Sequence, residues 1–213
     1  MSEIPFRYDP AHTALIVVDV QNDFCSPVGL MARKGFNISA VVEMLPNLQK
    51  LIDSSRAVGL PVIFIKTVHD ETTDSQQWRN RVSDRPGTKE YEPNCRPGSW
   101  GSEFYEVVPG PEDKVVIKYR YSAFTGTNLN VVLRTLGVQS LIFAGLATEI
   151  CVESSLRDGL FNEYYVSLIE DCSASYSSAA HRASTDVISK NFGPVVQAKD
   201  LITHWQPRLT AIA

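Results

Sequence analysis

SLIFAGLATEICVESSLRDGL, residues 140–160, runs from a short apolar stretch through a glycine into a segment with helical spacing. Ser140–Gly145 is continuously apolar rather than alternating, the pattern of a strand covered on both faces. From about Glu149 to Leu160 the apolar residues recur at helical intervals. The same unit repeats on either side. Thr13–Asp19 (TALIVVD) reads as a buried strand, and Val41–Val58 as a helix that stops at Gly59. Pro61–Lys66 (PVIFIK) and Val115–Lys118 read as two more strands, the latter leading to a helix near Asn128–Leu136 that ends at Gly137. Tyr164–Glu170 is a fifth strand, Ser177–Asn191 a helix, and Val195–Gln197 a short sixth strand. Strand–helix alternation of this kind implies an α/β fold, a three-layer α/β/α sandwich around a mostly parallel sheet of about six strands. The 213 residues suit a single domain spanning 1–213.

Asp70–Gly110 breaks the rhythm with prolines, glycines and polar residues, including DRPGTKEYEPNCRPGSWG. A loop this long inside a compact domain is usually functional or disordered. Trp78, Tyr91 and Trp100 within it favour an ordered excursion that covers a site.

Composition narrows the function classes. Apolar residues make up 44% and charged residues 21%, enough to build a core. The net charge of −4, with Lys and Arg scattered, argues against a nucleic-acid partner. No apolar run reaches the roughly 20 residues a membrane helix needs. The N-terminal MSEIPFRYDPAHTA has neither a basic n-region nor an apolar h-region, so the expected location is cytoplasmic. Cys25, Cys95, Cys151 and Cys172 form no C-x-x-C pair, which suits a reducing compartment and argues against a structural zinc site.

In open parallel sheets, ligands bind beyond the carboxyl ends of the strands. Three reactive side chains fall there: Asp19 closes the first strand, Lys118 the third, and Cys151 follows the fourth. A thiol with an ordinary pKa near ~8.5 is mostly protonated at neutral pH. A helix N-terminus and the Lys118 ammonium would both lower that value, and Asp19 would serve as base and then as acid. Each residue also has a plainer reading. Taken alone, Cys151 reads more readily as a buried structural thiol and Asp19 as a turn or helix cap, and Lys118 also reads as a solvated strand-end lysine.

ALIVVDVQNDFC, VVIKYRYSAFTGTNL and FAGLATEICVESSLRDG together resemble the isochorismatase-like cysteine hydrolases, over about residues 13–195. The resemblance implies a catalytic triad of Asp19, Lys118 and Cys151. It also implies a cis peptide at Leu146–Ala147 and an oxyanion hole from the N–H groups of Ala147 and Cys151. The implied chemistry is hydrolysis of a small-molecule amide without a cofactor, by a homo-oligomer (a dimer or tetramer).

KYRYSAFTGTNLNVVLRTLGV and ATEICVESSLRDGLF look closest to the ureidoacrylate and biuret hydrolase branch, with Glu149 a departure from its motif. Nicotinamidases, the alternative, add a metal held by an aspartate and two histidines after the second strand. Here KTVHDETTDSQQW offers only His69, so His69 reads as a loop or hydrogen-bonding residue and no catalytic metal is expected. A vinyl-ether hydrolase is disfavoured by the presence of Cys151, and a non-catalytic binding protein on the same fold by the complete triad.

Phe24 and Tyr121 fall at pocket-lining positions of the family, with plain core packing an equal alternative. Trp100 is a candidate to close the site from the long loop. Cys25, Cys95, Cys172, Met31 and Met44 read as core or loop residues, and Arg157–Asp158 as a surface ion pair.

Overall fold

The computed structural model describes residues 6–82 and 92–212, with the side chains of the last helix described through residue 206. Tyr91 lies outside the described residues. Six strands, β1 (Thr13–Val18), β2 (Val62–Thr67), β3 (Lys114–Lys118), β4 (Ser140–Leu146), β5 (Tyr165–Ala174) and β6 (Val195–Val196), form one sheet in the order β3-β2-β1-β4-β5-β6. Every adjacent pair is parallel. The helices are α1 (Asn22–Cys25), α2 (Leu30–Arg33), α3 (Ser39–Ala57), α4 (Gln76–Asn80), α5 (Leu129–Thr135), α6 (Glu153–Phe161), α7 (Ser178–Asn191) and α8 (Ala198–Ile212).

The period-2 geometry of a strand sends alternate side chains to opposite faces of the sheet, and two separate cores result. Leu15, Val17, Phe64, Ile142 and Ala144 pack against α3 and α8 through Leu48, Leu51, Ile52, Leu201 and Trp205. Ala14, Ile16, Ile63, Ile65, Leu141 and Phe143 pack against α5, α6 and α7 through Leu129, Leu133, Leu156 and Ile188. The fold is therefore the three-layer α/β/α sandwich.

Three local readings differ. On β3 the apolar run is not covered on both sides: Val115 and Ile117 are exposed, because β3 is the edge strand. The segment after β4 does not enter an α-helix directly, since Thr148–Val152 forms a π-helical turn before α6. Helix α8 escapes the sequence reading, although Leu201, Ile202 and Trp205 lie on one helical face and are buried.

One glycine decides how closely the central strands approach. Gly145, at φ +107°, lies so near Val18 that a Cβ would sit 2.1 Å from the Val18 carbonyl oxygen. It brings the end of β4 against the end of β1, where Asp19 begins.

Candidate active site

The sheet places its carboxyl ends side by side. Thr67 and Lys118 are register partners on β2 and β3, and Val18 pairs with both Ile65 and Gly145. Asp19 follows Val18 with φ +53°, a left-handed conformation that aspartate tolerates better than most residues. Its N–H donates to the Ile65 carbonyl at 3.1 Å. At the end of β4 the Leu146–Ala147 peptide is cis, and the π-helical turn that follows carries Cys151.

Asp19, Lys118 and Cys151 meet. Lys118 Nζ lies 2.7 Å from Asp19 Oδ2 and donates to Cys151 Sγ at 3.5 Å. It also donates to Thr67 Oγ1 at 2.6 Å and to the Arg120 carbonyl at 3.1 Å. Thr67 in turn donates its hydroxyl proton to Asp19 Oδ1 at 2.8 Å. Asp19 and Lys118 are each 1% exposed, so this pair is shielded from water and from salt.

Burial pulls the Lys118 ammonium down, but the charges of Asp19 and Cys151 outweigh it, and the group is held above its ordinary pKa. For Cys151 the balance runs the other way. Burial raises the thiol and Asp19 raises it further, against the lowering influence of Lys118. This corrects the expectation of a thiol acidified by its helix turn. The surroundings of Cys151 therefore favour the neutral thiol over the thiolate.

Thr67 carries no signal in a single sequence beyond its place at a strand end. Gln21 is similar. Its buried amide donates to the Thr67 and Ser102 carbonyls, both at 2.9 Å, and accepts from the Thr67 N–H at 2.7 Å. The rest of the QNDFC run orders the excursion. Asn22 donates to the Trp100 carbonyl at 2.7 Å, and Asp23 accepts from the Cys95 N–H at 2.7 Å. Gly101 is required for that approach, because a Cβ there would lie 2.2 Å from the Asp23 carboxylate.

A cavity of about 160 Å³ opens over the triad. Phe24 and Tyr121 line it, as do Ala147 and Leu146. Trp100 does not. It is 54% exposed, and its backbone rather than its ring is what the site uses, through Asn22. The tryptophan in the cavity wall is Trp78, whose ring packs edge-on against Tyr121 at 4.8 Å. Met31, Tyr176 and Asn94 also line the cavity.

His69 is buried in the wall, its Nδ1 2.9 Å from Asp74 Oδ1. Among the described residues, no three His, Cys, Asp or Glu side chains are grouped so as to hold a metal ion. Glu149, two residues before Cys151, accepts from Ser175 Oγ at 2.8 Å and lies outside the cavity lining. Arg157 pairs with Glu153 rather than Asp158. Cys25, Cys95 and Cys172 are buried free thiols. No helix among the described residues is long and apolar enough to cross a membrane.

Comparison with known proteins gives this arrangement its context. The chain is 35% identical over 200 residues to the ureidoacrylate amidohydrolase RutB of Methylobacterium radiotolerans, covering 89% of this chain and 78% of that one. A cysteine hydrolase from Pseudomonas syringae pv. phaseolicola superposes with a TM-score of 0.80 at 25% identity, over 100% of this chain and 99% of the other. The N-carbamoylsarcosine amidase of Thermoplasma acidophilum superposes with a TM-score of 0.69 at 27% identity, over 87% and 95%. The isochorismatase domain model matches residues 13–200, and on that match this chain belongs to the isochorismatase family.

Proposed function

We propose that the chain is a cysteine-dependent amidohydrolase that cleaves the C–N bond of a small linear ureido or carbamoyl amide through a thioester, releasing ammonia. The bond class follows its relatives: an enzyme of this family acting on carbon–nitrogen bonds other than peptide bonds. One observation carries the cysteine mechanism. Asp19 Oδ2 is buried 2.7 Å from the same ammonium that donates to Cys151 Sγ, and the Cys151 thiol is itself hydrogen-bonded to the Asp19 side chain. A buried carboxylate hydrogen-bonded to a thiol is placed to take its proton as general base.

The steps balance within the triad. Cys151 gives its proton to Asp19 as Sγ attacks the amide carbon, and Lys118 stays protonated throughout, compensating the negative charge wherever it resides. The N–H groups of Ala147 and Cys151 would receive the oxyanion, worth about 3–4 kcal/mol per donor in comparable sites. Collapse of the tetrahedral adduct breaks the C–N bond as Asp19 returns the proton to nitrogen, and ammonia leaves. Water, deprotonated by Asp19, then attacks the thioester and restores the thiol.

A cavity of about 160 Å³ suits a substrate of a few heavy atoms, since one of ~150 Å³ accommodates benzene. The test is ammonia release from ureidoacrylate, biuret, N-carbamoyl amino acids and nicotinamide, with Cys151→Ala alongside. Release from a linear ureido compound that disappears in the variant is the expected result. Near-normal turnover by Cys151→Ala would overturn the mechanism.

A further inference from the structure

The π-helical turn that carries Cys151 has a front and a back. Ala147, Ile150 and Cys151 line the cavity, whereas Thr148 and Glu149 do not. The back of the turn, with the start of α6 behind it, is tied to α7 and to the residue that follows β5. Thr148 Oγ1 lies 2.9 Å from His181 Nδ1. Glu149 Oε1 accepts from Ser175 Oγ at 2.8 Å. Ser184 Oγ donates to Glu153 Oε2 at 2.5 Å and lies 3.4 Å from the Thr148 carbonyl oxygen.

The turn has little backbone bonding of its own. The Ile150 and Val152 N–H groups share one acceptor, the Ala147 carbonyl, at 3.0 and 3.2 Å. Turns of this type are rare and occur mostly as single turns at functional sites. Thr148 is fully buried, and among the described residues His181 is the one group its hydroxyl meets. His181 stands on a firm base. It lies in the first turn of α7, where its N–H donates to the Ser177 carbonyl at 3.0 Å and Ser177 Oγ caps the helix through the Ala180 N–H. Further along the same helix, Ser184 and Thr185 are buried and Ile188 enters the core.

We propose that His181 is a positioning residue for the nucleophile. Held by Thr148, the turn sets where Cys151 Sγ and the N–H groups of Ala147 and Cys151 stand relative to Asp19 and Lys118. Those two come from the ends of β1 and β3, so Cys151 must be brought to them from a separate element, and Lys118 Nζ meets its sulfur at 3.5 Å. A misplacement of about 1 Å at reacting atoms costs on the order of 100-fold in rate. His181 does not line the cavity and acts only through Thr148. The inference rests on the amidohydrolase reading for the reaction whose rate it governs.

The test compares His181→Leu with His181→Asn. The two side chains have similar shapes, and only Asn places a polar atom where Nδ1 stands. On the amide that the wild type turns over fastest, His181→Leu should lower kcat by about 10- to 100-fold and leave KM within about twofold. His181→Asn should keep most of kcat. Thr148→Val removes the same bond from the other side, and keeps the comparison available where His181→Leu does not fold. It should show the same kcat loss, with Thr148→Ser restoring it, and the double variant His181→Leu/Thr148→Val should lose no more than either single one.

Equal losses in His181→Leu and His181→Asn, a raised KM with kcat unchanged, or losses that multiply in the double variant would overturn the proposal. Deuterium exchange of the peptide spanning residues 148–152 separates it from the hydrolase reading. Exchange should be faster in His181→Leu and Thr148→Val than in the wild type, and close to wild type in His181→Asn. That pattern without turnover of any amide by the wild type defeats the hydrolase reading alone. Wild-type turnover, with exchange and kcat unchanged in both His181→Leu and Thr148→Val, defeats the positioning role alone.

Discussion

Lys118 Nζ lies 2.7 Å from Asp19 Oδ2 in an ion pair almost wholly removed from solvent. An ammonium has three N–H bonds, and here Thr67 Oγ1, the Arg120 carbonyl and Cys151 Sγ share them with the Asp19 carboxylate. Carboxylate, ammonium and thiol thus form one buried, hydrogen-bonded unit. Thr67 braces the pair from one side. It occupies one of the three N–H bonds and binds the other carboxylate oxygen.

Thr67→Val keeps the shape and removes the hydroxyl. Two buried groups then lose a partner, which should cost about 1–3 kcal/mol of stability. Turnover should fall by more than the loss of folded protein explains, because the hydroxyl that bridges Lys118 Nζ and Asp19 Oδ1 no longer fixes their positions relative to Cys151. Denaturant melts and kcat on the best amide check this. Thr67→Ser should restore both, and a Val variant with unchanged kcat would remove Thr67 from the positioning of the triad.

Thiol reactivity should respond oppositely to the two charged neighbours. Asp19 raises the Cys151 pKa and Lys118 lowers it. Iodoacetamide labelling of the wild type should therefore keep rising with pH through 9, without a plateau below pH 8. Asp19→Asn should label faster at pH 8, by about tenfold per pKa unit removed, while losing turnover. Lys118→Met should label more slowly and, as a broken buried pair, lose about 3–5 kcal/mol of stability. A wild-type plateau below pH 8 would show that the resting site holds a thiolate.

Gly145→Ala tests the close approach of β1 and β4. A Cβ at this position meets backbone, not a movable side chain, and φ +107° is itself unfavourable for alanine. A stability loss of about 2 kcal/mol or more is expected. The same shift displaces Asp19 relative to Cys151, so kcat should drop even at temperatures where the variant is fully folded.

The imidazoles set the acid side of the stability profile. Burial, the largest influence on each, holds both His69 and His181 below the ordinary histidine value. Between the folded and unfolded pKa values the unfolded chain binds more protons, so stability rises with pH there. It should be fully present above about pH 6.5 and decline below it. The fall in Tm between pH 7 and pH 5.5 should be smaller in His181→Gln than in the wild type. An equal fall in both would remove His181 from the effect.

Much of the architecture was legible because continuous apolar runs and terminating glycines are local signals. TALIVVD, PVIFIK and SLIFAG each report burial on two faces, and strand–helix alternation leaves few topologies. The edge position of β3 was not legible, because VVIK reads the same whether one face is covered or both. Helix α8 was missed because its apolar face, Leu201, Ile202 and Trp205, is short and set among polar residues.

The sequence by itself determined the family, the six-stranded α/β sheet and the three chemically complementary residues at its strand ends. Those depend on residue type and order, which a chain carries openly. Tertiary structure alone decided how the three are wired. Thr67 and Gln21 join the site through contacts 46 to 51 residues distant in sequence, and no local pattern encodes such a pairing. It also decided that Trp78 rather than Trp100 forms the cavity wall, and that Arg81 and Arg120 line it too. Two tryptophans in one irregular excursion look alike in sequence; the path of the backbone, fixed by Asn22, Asp23 and Gly101, chooses between them.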